Sequence, residues 1–362
     1  LKFVYFRDDR VMMEAHRGDV YDVAHARIAK DWATNYEFPA VKAGLFIREL
    51  KPMSRVEGLW WPVFWNMDQP KLQDIRVREA LQVLFDFSWT NRVVFHGYYA
   101  MGVSFFQNSP MAHSGLPGEK ELELLEPFRD QLPPRVFTEE YRQPPSTGFG
   151  PQRAKIERAL KLFQEAGWEL QDGAMRSVET GERFTLRLIG MSHTSIQQYL
   201  TLVQNLSRIG IETTSRKSDI TEWLHRSRTG KFDGNSFSRI PSHLPGLQLR
   251  NWFGSAAAGQ DFALNWSRIR DPVVDYLINK TIAAKTAEDL YAATRALDRV
   301  LLWSFYFIPI GSQPGYRLVY WDRFGQVKTG PLLRVPFMDA WWWDEEKARH
   351  VEEGIAKLQL GG

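Results

Sequence analysis

Phe237, Ser238 and Arg239 set a ring, a hydroxyl and a guanidinium at consecutive positions, ending a stretch, KFDGNSFSR, that reads as a β-strand. In open α/β sheets ligands bind beyond the carboxyl ends of the strands. A guanidinium there favours a carboxylate or phosphate, which it grips through two parallel N–H donors. Trp252 follows in the same irregular, aromatic stretch, residues 237–268. For each of these residues the competing role is plain packing or loop structure. Covalent and metal chemistry find less support. The eight histidines (His16, His25, His96, His113, His193, His225, His243 and His350) are scattered, with no HExxH or paired metal spacing. His193 reads as a polar loop residue. No G-x-S-x-G elbow and no phosphate-cradling P-loop occurs. Carboxylates are plentiful, and 14 tryptophans would suit a sugar cleft. A glycoside hydrolase is therefore the enzymatic alternative. It requires two carboxylates facing each other about 5–10 Å apart, and for Asp233 and Asp261 residue order alone does not decide whether they meet in that way.

The elements that must position these residues are legible in parts. ERFTLRLIG alternates like a half-exposed strand. TSIQQYLTLVQNLSRIG sets Ile196, Leu200, Val203 and Leu206 on one helix face and stops at Gly210, and IETTSR is a second strand. Strand, helix and strand in that order imply a parallel pair with a right-handed crossover. Asp219 opens the next helix with Glu222 at capping-box spacing, and KFDGNSFSR follows. Asp74 caps a helix that carries Ile75, Val77, Ala80, Leu81 and Leu84 on one side. Arg76, Arg78, Glu79 and Gln82 fall on the other side, which reads as a solvated face. Asp271 and Thr286 cap two later helices, and Gly18 stops an early one. LKFVYF at the start reads as a strand, and the tail after Asp344 as an exposed helix. Residues 104–150 are rich in Pro, Gly and Ser and read as loops around one short helix. No internal repeat is present.

Length and composition bound the rest. A chain of 362 residues suffices for two domains with separate cores. Its formal net charge of +3 is a mixed balance that gives nucleic acid no electrostatic footprint. The lack of cysteine removes disulfides, thiol catalysis and cysteine-ligated metals. No apolar run approaches the ~20 residues that span a bilayer. The chain starts at Leu1, with no leader peptide, and reads as processed, truncated or partial.

Several segments together resemble one family. They are FWNMDQPKLQDIRVREALQVLFDFSWTN, SFFQNSPMAHSGLP, LLEPFRDQLPPRVFTEEY, NWFGSAAA, IRDPVVDYLINKTIAA, RALDRVLLWSFYFIPI and YWDRFG. Each is weak alone; in order, over about residues 1–345, they resemble the peptide-type solute-binding proteins of ABC importers, extracellular solute-binding family 5, in its YejA-like branch. The resemblance implies an α/β, periplasmic-binding-protein-like two-lobe fold (type II, peptide-binding cluster), with the second lobe complete and the first partial. Residues 1–66 would supply part of the first lobe and the hinge, 67–305 the second lobe, and 306–362 the return segment and tail. The DIRVREAL helix would open the second lobe and hold it without touching ligand. The implied role is a non-enzymatic, monomeric periplasmic receptor with no cofactor, which closes on an oligopeptide and delivers it to an inner-membrane permease. Hydrated pockets would tolerate varied side chains, because bridging waters replace direct contacts. Trp65 and Asn66 match the hinge, and Ser312 and Gln313 the return to the first lobe; with Phe237, Ser238, Arg239 and Trp252 they make up the ligand-binding set. Many members carry an Asp just after the aromatic, to pair with a peptide's α-ammonium. Here Arg239 stands near that place, which points to an anionic or modified peptide. The third alternative is a fragment that binds nothing small.

Overall fold

The computed structural model describes residues 2–26, 28–52, 57–148, 152–238, 242–261, 263–327 and 338–360. It divides into two compact units, Leu1–Arg55 with Gln313–Gly362, and Val56–Ser312.

The larger unit is built on a five-stranded sheet in the order Phe307–Ile308, Val63–Trp65, Gly234–Ser236, Thr185–Gly190, Glu212–Lys217. Thr185–Gly190 runs parallel to both Glu212–Lys217 and Gly234–Ser236, as the strand–helix–strand reading requires. Val63–Trp65 is antiparallel to Gly234–Ser236 on one side and to Phe307–Ile308 on the other. The incoming and outgoing ends of this unit are thus hydrogen-bonded neighbours, with Trp60 bridged to Gly311 as well. Helices Pro272–Ala283 and Ala287–Trp303 bring Val274, Leu277, Leu297 and Leu301 into its main core beside Phe105 and Phe253. Their caps are those expected: Asp271 accepts from Val273 N and Val274 N, and Thr286 from Asp289 N.

The smaller unit carries a three-stranded antiparallel sheet with Tyr316–Trp321 between Val23–His25 and Phe46–Lys51. Met13, Tyr36, Phe38, Phe46, Val319, Trp321 and Val351 form its core. Val351 belongs to the last helix, Glu345–Leu360. That helix is therefore not a free exposed tail: Gly354 meets Leu45 so closely that an added Cβ would fall 2.5 Å from a Leu45 methyl.

Three further readings are corrected. Residues 2–6 form no strand, since no described segment pairs with them, and Phe3 and Tyr5 are exposed. The segment after residue 192 is two helices, His193–Gln197 and Leu200–Arg208. The break at Gln198–Tyr199 turns Tyr199, Leu202 and Leu206 inward, while Leu200 is exposed. Finally, only Arg76 of the Ile75–Leu84 helix's polar side is solvated; Arg78, Glu79 and Gln82 are buried. A second layer covers that side. Glu79 receives Arg135 and Arg158, Gln82 donates to Tyr141, and Arg78 donates to three carbonyls.

Candidate ligand-binding site

Gly234–Ser236 ends at the carboxyl edge of the larger unit's sheet, and Phe237 and Ser238 leave it there. Phe237 is half-buried, with its ring 5.4 Å from Trp223 and 5.2 Å from Trp266, which themselves meet edge-on at 4.8 Å. The ring is thus one side of a three-ring wall. Ser238 Oγ accepts from Trp61 N at 3.2 Å. Arg239 lies outside the described residues. Trp252 is half-buried in the Gln248–Phe253 helix, edge-on to Phe253 and against the main core. Phe237 packs on a different cluster, with Trp223 and Trp266.

Trp65 and Asn66, the hinge-matching pair of the ligand-binding set, are wholly buried. Trp65 lies inside the sheet against Gly234, where an added Cβ would fall 2.8 Å from its ring. Asn66 Nδ2 donates to Gly230 O and Phe232 O, both at 3.0 Å, and its Oδ1 accepts from Asp68 N at 3.0 Å. Such an amide pins the loop before Gly234. Ser312 is likewise wholly buried, and its Oγ accepts from Gln107 Nε2 at 2.8 Å.

Gln313 differs. It is 3% exposed, yet neither its amide nitrogen nor its oxygen has a hydrogen-bond partner. Buried polar groups are nearly always paired, so an orphaned amide calls for a reason. In the larger unit, Trp65 Nε1 and Gln198 Oε1 share this state. Gln198 and Trp61 escaped the sequence reading. The helix break that turns Gln198 inward and the left-handed backbone of Trp61 (φ 53°) leave no mark in residue type.

The two carboxylates considered for a glycosidase, Asp233 and Asp261, sit in different environments. Asp233 is wholly buried and consumed by the sheet: Oδ2 accepts from Arg187 N at 2.7 Å and Arg187 Nε at 3.1 Å, and Oδ1 lies 3.2 Å from Lys71 Nζ. Asp261 is exposed. Among the described residues no three His, Asp or Glu side chains gather in a metal-holding group. His113 is tied to Asp298, with Nδ1 2.6 Å from Oδ2.

Residues 1–261 match the bacterial extracellular solute-binding proteins, family 5 (middle). The chain is 36% identical over 343 residues to the probable peptide-binding protein YejA of Agrobacterium fabrum, covering 94% of this chain and 56% of that protein. It is 32% identical over 360 residues to the uncharacterized protein YejA of Escherichia coli, covering 96% and 57% respectively. The chain thus spans little more than half the length of these relatives. Among solved structures it resembles the oligopeptide-binding protein AppA of Bacillus subtilis, in complex with a nonapeptide. The TM-score is 0.67 at 14% identity, over 93% of this chain and 59% of that one. That likeness carries the fold, and the family match and the two relatives carry kinship: the chain belongs to the bacterial extracellular solute-binding proteins, family 5.

Proposed function

We propose that this chain acts in a two-lobed, non-enzymatic receptor of an ABC importer, binding an oligopeptide-like solute and passing it to an inner-membrane permease. We place it in the periplasm, as a monomer without a cofactor, and its ligand among plain, anionic or modified peptides. The lobes we assign are residues 67–305 and residues 1–66 with 306–362. Capture by such a receptor is a population shift, driven by the ligand's greater affinity for one of two states.

The observation that carries this reading is the buried, unpaired amide of Gln313. An unsatisfied buried polar group costs about 1–3 kcal/mol, which the folded chain tolerates where a ligand supplies the missing partner. A peptide unit offers a carbonyl and an N–H together, and so pairs both halves of the amide whatever its side chains. The relatives' names and the nonapeptide bound to AppA agree with this chemistry.

Native mass spectrometry of the chain with a mixed pool of tri- to nonapeptides tests it. Retained peptide masses are expected. Gln313→Leu keeps the volume, removes both hydrogen bonds and should cut retention about tenfold, the equivalent of two modest hydrogen bonds. A folded parent chain that retains no peptide overturns the reading.

A further inference from the structure

Trp61 holds φ at 53°, in the left-handed region that a bulky side chain rarely enters. Three polar side chains hold it there. Ser236 Oγ donates to Trp61 O at 3.0 Å, and Ser238 Oγ accepts from Trp61 N at 3.2 Å. Gln198 Nε2 in turn donates to Ser236 Oγ at 2.6 Å. Ser236 and Gln198 are wholly buried, and Gln198 keeps one oxygen unpaired. Strain that its surroundings over-determine in this way concentrates at functional sites. The indole does not behave as a core ring. It is partly buried, in the same range as Phe237, but unlike that ring beside the same serines it makes no ring contact among the described residues. It stands at the carboxyl edge of the sheet, where α/β ligands bind.

We propose that Trp61 is a specificity-determining platform that stacks on a flat aromatic side chain of the solute, and that Gln198, Ser236 and Ser238 are the positioning residues that set it. The proposal rests on the peptide-receptor reading and adds a preference to it.

The same peptide pool and native mass spectrometry test it, read for the composition of what is retained. The parent chain should enrich peptides containing Phe, Tyr or Trp. Trp61→Gly accepts the backbone angle freely and should lose that enrichment about fivefold, the scale of one aromatic pair, while Trp61→Phe keeps most of it. Ser236→Ala should weaken the enrichment in the parent chain and change nothing further in the Trp61→Gly background. Equal loss in both backgrounds would make Ser236 a merely structural residue and overturn the positioning role. Unchanged enrichment in Trp61→Gly would overturn the platform while leaving the peptide reading intact. A fall in its thermal midpoint of more than about 4 °C, roughly 1 kcal/mol or more, would show a packing ring and overturn the platform too. A parent chain that retains nothing overturns both readings.

Discussion

Lys155 Nζ lies 2.9 Å from Asp86 Oδ2, with both side chains almost wholly buried. The lysine also donates to Phe85 O at 3.1 Å, and the carboxylate accepts from Trp89 N, Thr147 N and Thr147 Oγ. Burial pushes the Asp86 carboxyl up, but the donors, Ser146 and Lys155 foremost, hold it well below the ordinary carboxylate range. Removing one partner of a buried pair typically costs 3–5 kcal/mol, so Lys155→Met should lower the unfolding free energy by about that much in urea titrations. A loss below about 1 kcal/mol would mean that the neutral donors alone carry the charge. Because the folded pKa is depressed, this stabilisation is complete above the unfolded value of 3.8 and disappears as pH falls below it.

A second acid transition should come earlier, from the smaller unit. His16 is wholly buried, stacked on Tyr21 at 4.4 Å and edge-on to Phe46. Its Nε2 faces Asp22 O at 3.1 Å, and since a carbonyl only accepts, Nε2 carries the proton of a neutral ring. Burial lowers its pKa to about 4, against weaker opposing effects of Asp22 and Asp19. The unfolded chain therefore takes up a proton first. Stability falls as pH drops from about 6.5 to about 4, by roughly 3 kcal/mol in all. His16→Gln should flatten the thermal midpoint over that window while leaving the deeper transition of Asp86 in place. An unchanged slope would assign the effect to another group.

Gly234→Ala should fail by crowding rather than by backbone strain. The new methyl would lie 2.6 Å from Leu188 Cδ2 and 2.8 Å from Trp65 Cζ3. Overpacking of this kind costs about 1–3 kcal/mol. Pairing the change with Leu188→Val should recover part of it in denaturant titrations. No recovery would place the clash at the indole alone.

Arg78 donates to Ser304 O at 2.9 Å, Leu72 O at 2.7 Å and Gln73 O at 2.7 Å. Arg78→Met keeps the stem but leaves these carbonyls short of a donor. A loss of about 2–4 kcal/mol is expected in chemical denaturation, because buried acceptors left unpaired cost more than the bonds contributed. Arg78→Lys should fall between, since an ammonium cannot span the fork. A neutral Arg78→Met would show that water replaces the guanidinium.

Those carbonyls also mark the limit of reading this chain by residue type. Asp74, Asp219, Asp271 and Thr286 announce their helices because capping is a contact of three residues' reach. Glu79 and Gln82 read as solvated because what covers them, the 135–141 segment and the Arg153–Glu165 helix, comes 50 or more positions later, and Arg78 because one of its acceptors, Ser304 O, lies 226 positions on. At the candidate site, the place of Phe237 and Ser238 followed from a local strand–helix–strand pattern. Asn66 did not disclose that its amide serves Gly230 and Phe232, and no glycine flagged the left-handed angle at Trp61.

The pairing of Val63–Trp65 with Phe307–Ile308 has a consequence for synthesis on the ribosome. Once Ser312 has emerged, the larger unit holds every strand of its five-stranded sheet and can close. The smaller unit has by then made Val23–His25 and Phe46–Lys51 but not Tyr316–Trp321, the strand that joins them. Val23–His25 and Phe46–Lys51 are made before the insertion and the strand that joins them after it, so their pairing with it must wait through translation of the whole insertion.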